Sequence, residues 1–390
     1  MSRLPGKQRL RERIVRSLRR QGFSVRAGSV APPSDLTKDQ IRQLHETAVR
    51  HRRAVARITH AKFEEHLLSH MASGSDIDVG KIKPRLVQVG DSDSEEARLF
   101  RYSGLHWSIP LSSGYGRRLR FLVEDEQNDK LIGLIGLADP VFSLGVRDSW
   151  IGWDEVGRKA RLQNVMDAFV LGAVPPYASL LCGKLVAMLV ASREVRDAFR
   201  RKYKGRKTRI RRRTLDGRLA LITTTSALGR SSIYNRIKIA GRRLYESLGL
   251  TRGAGEFHFA NGTYDVLKAY ATRHCEASSK KARWGTGFRN RREVIKKCLP
   301  ALGISSEWIY HGIGREAYAV HIAENAREFL RGECKHLRMY DDSVASIFEE
   351  FRQRWLVPRA SRETGFRSWT PDDWRLWTRR SNNGGNGHVL

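Results

Sequence analysis

The stretch Leu219–Phe259, LALITTTSALGRSSIYNRIKIAGRRLYESLGLTRGAGEFHF, decides the architecture. Leu219–Thr225 is an apolar, β-branched run and reads as a buried strand. The small-residue turn Ser226–Arg230 follows. Ser231-Ser232-Ile233-Tyr234-Asn235-Arg236 is then predicted to open a helix that closes near Gly249, before a second extended run with Gly253, Gly255 and Gly262. Strand, polar turn, helix, strand places the chain in the α/β class. In such folds ligands gather where the carboxyl end of a strand meets the next helix. Ser226, Arg230, Ser231, Ser232, Tyr234, Asn235 and Arg236 collect at that junction and form a candidate pocket. The bland reading is that these hydroxyls cap and satisfy backbone groups. The functional one is that Ser231, Ser232 and backbone N–H groups receive a phosphate neutralised by Arg230 and Arg236.

Upstream of this stretch, Met166–Ala173 reads as a buried strand and Ser179–Ser192 as an apolar helix carrying Gly183 and Lys184, which join the candidate pocket. Leu119–Val123 and Leu131–Leu137, separated by a polar turn, read as a hairpin. Asp148–Asp154 reads as a further strand. Residues 1–90 are expected to be a basic helical region. Leu10, Ile14 and Leu18 recur every fourth residue in an Arg-rich segment, and Thr37-x-x-Gln40 reads as a capping box before a long helical stripe to Met71. An α/β (α+β) mixed-sheet core is expected over 99–275. Residues 276–380 combine a basic, aromatic segment with C-terminal helices, including two over 318–356. Thr370-Pro371-Asp372-Asp373 starts a last helix whose Trp374 and Trp377 staple the tail to the body. Residues 381–390 are expected to be disordered.

The charge points to a partner. There are 72 Lys+Arg against 41 Asp+Glu, for a formal net charge of +31, and such self-repulsion calls for a polyanion. The loop 200–213 concentrates it: Arg200, Arg201, Lys202, Lys204, Arg206, Lys207, Arg209, Arg211, Arg212 and Arg213 make ten basic residues in fourteen, with no acid. A second block, Lys280, Lys281, Arg283, Arg289, Arg291 and Arg292, interleaves with Trp284 and Phe288, which suits bases stacked on rings and phosphates held by cations. DNA or RNA is therefore the expected partner. No apolar run reaches the roughly 18 residues of a membrane span. The four cysteines are far apart and fit a reducing cytoplasm.

The chain carries no Walker A, Gly-x-Ser-x-Gly or His-Glu-x-x-His motif. His311 and Arg315, on a compact glycine turn, are further candidate pocket residues. Asp139, Asp148, Asp154 and Asp167 could pair as a two-metal nuclease centre. The order of hairpin, strand, helix, strand and a helix ending Leu244–Gly249 resembles the acetyltransferase (GNAT) fold, in which a loop cradles the coenzyme A pyrophosphate; only Gly183 fits that loop. No cofactor is expected, with acyl-CoA or a divalent metal as the alternatives.

Six blocks in order resemble one family: LFRYSGLHWSIPLSSGYGRRLRFLV (99–123), LIGLADPVFSLGVRDSWIGWD (134–154), DAFVLGAVPPYASLLCGKLVAML (167–189), TTTSALGRSSIYNR (223–236), LGLTRGAGEFHF (248–259) and HGIGREAY (311–318). They are similar to the DruA family, the A components of Druantia anti-phage defence systems. The resemblance implies a cytoplasmic bacterial defence protein working beside a large helicase-like partner, and it carries over no catalytic residue. Two rival readings stay open. One is a nucleic-acid-modifying or -cleaving enzyme; the other is an assembly scaffold for acidic protein partners.

Overall fold

The computed structural model describes residues 6–111, 116–208, 212–259, 262–278, 288 and 290–377. Its centre is a seven-stranded sheet built from β1 (Pro84–Gln88), β2 (Arg118–Asp125), β3 (Lys130–Ala138), β4 (Val165–Ala173), β5 (Leu221–Thr225), β6 (Tyr245–Leu250) and β7 (Glu316–Val320). The strands lie in the order β6-β7-β5-β4-β3-β2-β1. Every neighbouring pair is antiparallel except β4 and β5, which run parallel with Val165 opposite Leu221 and Ala168 opposite Thr224. Parallel strands need a crossover of a dozen or more residues. Here two helices supply it, Cys182–Leu189 and Arg193–Tyr203. The register of β4 with β5 stops at Ala168 and Thr224, although β4 continues to Ala173.

Both faces of the sheet are covered, which is why its central strands read as continuous apolar runs. On one face Leu119, Phe121, Ile132 and Leu137 pack with Leu185, Met188 and Phe199 of the crossover and Phe351 of the C-terminal part. On the other, Leu122, Leu134 and Val170 meet Leu99 and Tyr102 of the helix Glu95–Ser103, together with Trp374 and Trp377. The tryptophans do tie the tail to the body. Tyr102 donates its hydroxyl proton to the Trp374 carbonyl at 2.9 Å, and His106 stacks on the Trp374 ring at 3.8 Å.

The N-terminal helices do not stand alone. Leu10, Ile14 and Leu18 of the helix Gly6–Arg20 are fully or almost fully buried. Each adds about 2 kcal/mol of apolar burial. They share a core with Leu267 and Ala271 of the helix Thr263–His274 and with Ile295 and Leu299 of the helix Arg291–Ala301. The two ends of this helical unit are therefore far apart in sequence, with the sheet inserted between them. The capping box at Thr37 and Gln40 starts the helix Lys38–His60 as expected.

Three elements differ from the sequence expectation. The segment after Ser231 is not a helix to Gly249. It is one short turn (Tyr234–Arg236), a tight hairpin pairing Lys238–Ile239 with Arg242–Arg243, and the strand β6. Ile237 and Ile239 are buried while Lys238 is exposed, so the local period is two. Ala240 and Gly241, both at positive φ (48° and 77°), make the two-residue turn. The helix that completed the acetyltransferase likeness is thus absent at that place. Asp148 lies in the helix Gly145–Ile151, not a strand, and Gly152 at φ 86° ends it. Finally, Glu316–Val320 is the strand β7, next to the edge strand β6. It is buried at every position, and a short apolar run of that kind has no period to reveal its type. The two helices expected over 318–356 follow it, at Ala326–Arg331 and Val344–Phe351.

Candidate functional site

The loop leaving β5 folds back onto the start of β7. Ser226 donates its N–H to the Glu316 carbonyl at 2.8 Å, and the Gly229 carbonyl accepts from Glu316 N–H at 3.1 Å. Gly229 sits at φ 79°, which a side chain would resist. Ser231 Oγ accepts the N–H groups of Ile233 and Tyr234, both at 3.2 Å. The Ser231 hydroxyl therefore caps the short turn. Its N–H donates to the Tyr318 hydroxyl at 3.2 Å, and Tyr318 in turn donates to the Glu316 carboxylate. Ser247 donates to the same carboxylate at 2.6 Å. Burial and the Glu316 charge push the Tyr318 hydroxyl up to about 12, so it stays a donor at neutral pH. This buried network holds the rim of a cavity.

The cavity has a volume of about 680 Å³. One wall is Leu228–Ser232 with Asn235. The other is Pro32, Pro33, Leu36, Thr37, Lys38 and Ile41, from the N-terminal region, and the floor is Gly312–Gly314. Of the candidate pocket residues, Arg230, Ser231, Ser232 and Asn235 meet here. Arg230, Ser232 and Asn235 are exposed, as is Lys38 opposite. Asn235 Nδ2 donates to the Ser231 carbonyl at 3.0 Å.

The other candidates lie elsewhere. Ser226 is buried. Tyr234 is packed inward, stacked on Tyr245 at 4.5 Å and edge-on to Tyr318 at 5.1 Å. Lys184 lies over the Trp355 ring at 5.0 Å. Burial, then Arg236 and Arg354, lowers its pKa, which puts Arg236 on that side too. Beside Gly183, the N–H groups of Cys182 and Lys184 donate to the Tyr177 and Leu181 carbonyls, so those amides are already engaged within the chain. His311 and Arg315 belong to a buried group just behind the cavity floor. His311 Nδ1 accepts from Ile313 N–H at 3.1 Å, its ring meets Phe257 edge-on at 4.8 Å, and Arg315 reaches His45 Nε2 at 3.2 Å. His45 stacks on Phe257 at 4.1 Å, and His258 Nε2 lies 2.9 Å from the Trp308 carbonyl. His258 Nδ1 and Arg315 Nε are buried without a hydrogen-bond partner.

The four acids weighed as a nuclease centre do not come together as a metal cluster among the described residues. Asp139 holds Arg117 through its N–H at 2.8 Å and its Nε at 2.6 Å. Asp148 pairs with Arg147 and Arg158. Asp154 caps the helix Glu155–Arg161. Asp167 accepts from Thr223 at 2.7 Å, and burial raises its pKa. Each carboxylate has a structural occupation.

The basic loop has a different character. Arg200, Arg201 and Lys202 end the helix Arg193–Tyr203, and a bridge between Lys207 and Thr214 closes the base of the loop. Arg209 and Arg211 lie outside the described residues, as do Lys280, Lys281, Arg283 and Arg289 of the second block and the tail 381–390. Arg200, Arg201, Lys204, Arg206, Lys207 and Arg212 are exposed, and none pairs with a described carboxylate. Arg213 donates to the Lys159 carbonyl at 3.3 Å. Lys202 is lowered by burial and then by its like-charged neighbours Arg120 and Arg206. Arg120 is lowered by burial and then by Arg118 and Arg101, and Arg101 by burial with a further contribution from Arg98. Cations thus crowd one another from the loop across β2 to the helix Glu95–Ser103. Sequence reasoning missed Arg98, Arg101, Arg118 and Arg120. The alternation Arg118-Leu119-Arg120-Phe121 on a strand was the available signal.

In the helical unit, Arg291 lies over the Tyr264 ring at 3.8 Å, and Arg292, Lys296 and Lys297 are exposed. On the helix Gly6–Arg20, Lys7, Arg11, Arg16, Arg19 and Arg20 line a groove of about 850 Å³. No helix among the described residues is long and apolar enough to cross a membrane.

Comparison with known proteins gives a family and no template. Residues 35–332 match the family described as Druantia protein DruA. A curated relative of the same name, from Escherichia coli (strain UMEA 4076-1), is 40% identical over 373 residues, covering 94% of this chain and 90% of the relative. No solved structure matches.

Proposed function

The chain belongs to the DruA family of Druantia anti-phage defence, and from that premise we propose that it is the subunit of such a system that grips nucleic acid, beside other defence subunits. The observation that carries the reading is the contrast in how arginines are used. Several arginines in the body are paired: Arg85 with Glu124, Arg117 with Asp139, Arg147 with Asp148, Arg375 with Glu65. The loop cations Arg200, Arg201, Lys204, Arg206, Lys207 and Arg212 are exposed without such partners. Leaving six like charges together is costly unless a polyanion completes them. A phosphate backbone is that polyanion, and it releases its own counterions on binding.

The loop and the strip through Arg120 and Arg101 serve as the non-specific grip. The cavity at Arg230 and Ser232 serves as the more selective element, where one phosphate or a terminal nucleotide meets Arg230 and Lys38. Ultraviolet cross-linking of the full-length protein to short DNA and RNA, with the attached peptides identified by mass spectrometry, tests this. Cross-links should fall in 193–218, 98–120 and 228–236. Adducts confined to 344–377, or none above background, would refute the reading.

A further inference from the structure

Far from the cavity in role and composition, His66, His70 and Glu95 converge on one point. His66 Nε2 and His70 Nε2 each lie 2.6 Å from the same carboxylate oxygen, Glu95 Oε1. The three donor atoms all lie within 4.8 Å of one another. We infer that these three side chains form a binding site for a divalent transition-metal ion of the zinc class.

The local structure explains why the donors meet. His66 lies in the helix Glu64–Leu68 and His70 in the turn that continues it, with Ser69 still in the right-handed helical region and His70 N–H donating to the Leu67 carbonyl at 3.3 Å, so both rings fall on one side. Their rings are edge to face, with centroids 5.4 Å apart, so both nitrogens aim at the same space. The backbone beneath them is fixed. The His70 carbonyl accepts from Leu131 N–H of β3 at 2.9 Å, and Ser69 Oγ donates to the His66 carbonyl at 2.7 Å. Glu95 is the first residue of the helix Glu95–Ser103, and Ser94 does the capping by accepting Ala97 N–H at 3.2 Å. The Glu95 carboxylate is therefore not needed for the helix end.

The alternative is two imidazoles hydrogen-bonded to a carboxylate. That arrangement crowds both onto one oxygen. A metal relieves the crowding. With metal–nitrogen and metal–oxygen bonds of about 2.0–2.2 Å, tetrahedral ligands sit roughly 3.3 Å apart, so each nitrogen–oxygen separation needs to open by less than about 1 Å. Two imidazole nitrogens and one carboxylate oxygen suit zinc, cobalt, nickel or iron rather than magnesium or calcium. Side-chain exposures of 61% for His66, 28% for His70 and 46% for Glu95 leave the ion an entry path and an open position for water. The chain gives no compact motif for this site, because Glu95 lies 25 residues beyond His70.

The test uses chelator-treated full-length protein titrated with Co²⁺, read by its visible ligand-field absorption, and with Zn²⁺, read by calorimetry. Wild type should bind one equivalent. His66→Ala and Glu95→Gln should each weaken binding by more than about tenfold, because even outer-shell changes cost that much. Cys275→Ser should bind as wild type does, which separates this site from a thiol site. Melting curves of His66→Ala and Glu95→Gln without metal should superimpose on that of wild type, since both side chains are exposed. Absence of Co²⁺ binding in wild type overturns the assignment, as does undiminished binding in both His66→Ala and Glu95→Gln.

Discussion

Acid should unfold this protein through its buried histidines. Burial lowers His45 and His258 from 6.5 to about 4 and His311 to about 3, with Arg315 adding to the effect on His45 and His311. His106, buried against Trp374 near Arg53, is lowered to about 3. A base whose folded value is depressed stays neutral in the native state and takes its proton only on unfolding. Its contribution is complete above 6.5 and is lost progressively as the pH falls toward 4. At pH 5 each of these histidines has given up about 2 kcal/mol, at roughly 1.4 kcal/mol per pH unit. Four of them together approach the 5–15 kcal/mol that holds a typical domain. Glu256, whose carboxyl is raised by burial, works in the opposite direction and blunts the lower end of the slope. The assay is urea denaturation at several pH values between 7.5 and 5, followed by tryptophan fluorescence. Unfolding free energy should fall by about 5 kcal/mol per pH unit near pH 5. His311→Gln should flatten the slope by one histidine's share while lowering stability at neutral pH. A profile flat from pH 6.5 to 5 would refute the reasoning.

Other expectations are sharper locally. Gly253→Ala should cost more than about 3 kcal/mol in chemical denaturation, because Gly253 sits at φ 67° and an added Cβ would lie 2.6 Å from Ile313 N and O. Asp139→Ala should cost about 3 kcal/mol by leaving the guanidinium of Arg117, 13% exposed, without its carboxylate. The loop hydroxyls should separate by role. Ser231→Ala should lower stability by about 1 kcal/mol through the lost cap, whereas Ser232→Glu should leave melting unchanged and weaken nucleic-acid binding by placing an anion beside Arg230.

The central strands, the β2–β3 hairpin and the every-fourth-residue stripe Leu10, Ile14, Leu18 were legible because burial imposes a period or an unbroken apolar run on them. The junction loop was legible in part. Arg230, Ser231, Ser232 and Asn235 do share one cavity, but Pro32, Thr37 and Lys38 complete it from nearly two hundred residues away. No local pattern announces such a contact. The short hairpin Lys238–Arg243 was lost because Ile237-Lys238-Ile239 is too short a period-two signal beside a polar stretch that also suits a helix. The histidine group behind the floor was unreadable for the same reason as the wall: His45, His258, His311 and Arg315 come from three distant segments, and only tertiary packing on Phe257 unites them.

The most direct test of the nucleic-acid reading is the salt dependence of binding to a short duplex, compared between wild type and the Arg206→Glu/Lys207→Glu/Arg212→Glu variant. Six exposed loop cations predict a slope of log K against log salt of about −5 or steeper, and the variant should lose about 3 of it together with most of its affinity. Equal slopes and equal affinities for the two proteins would contradict the claim that this loop meets the phosphate backbone.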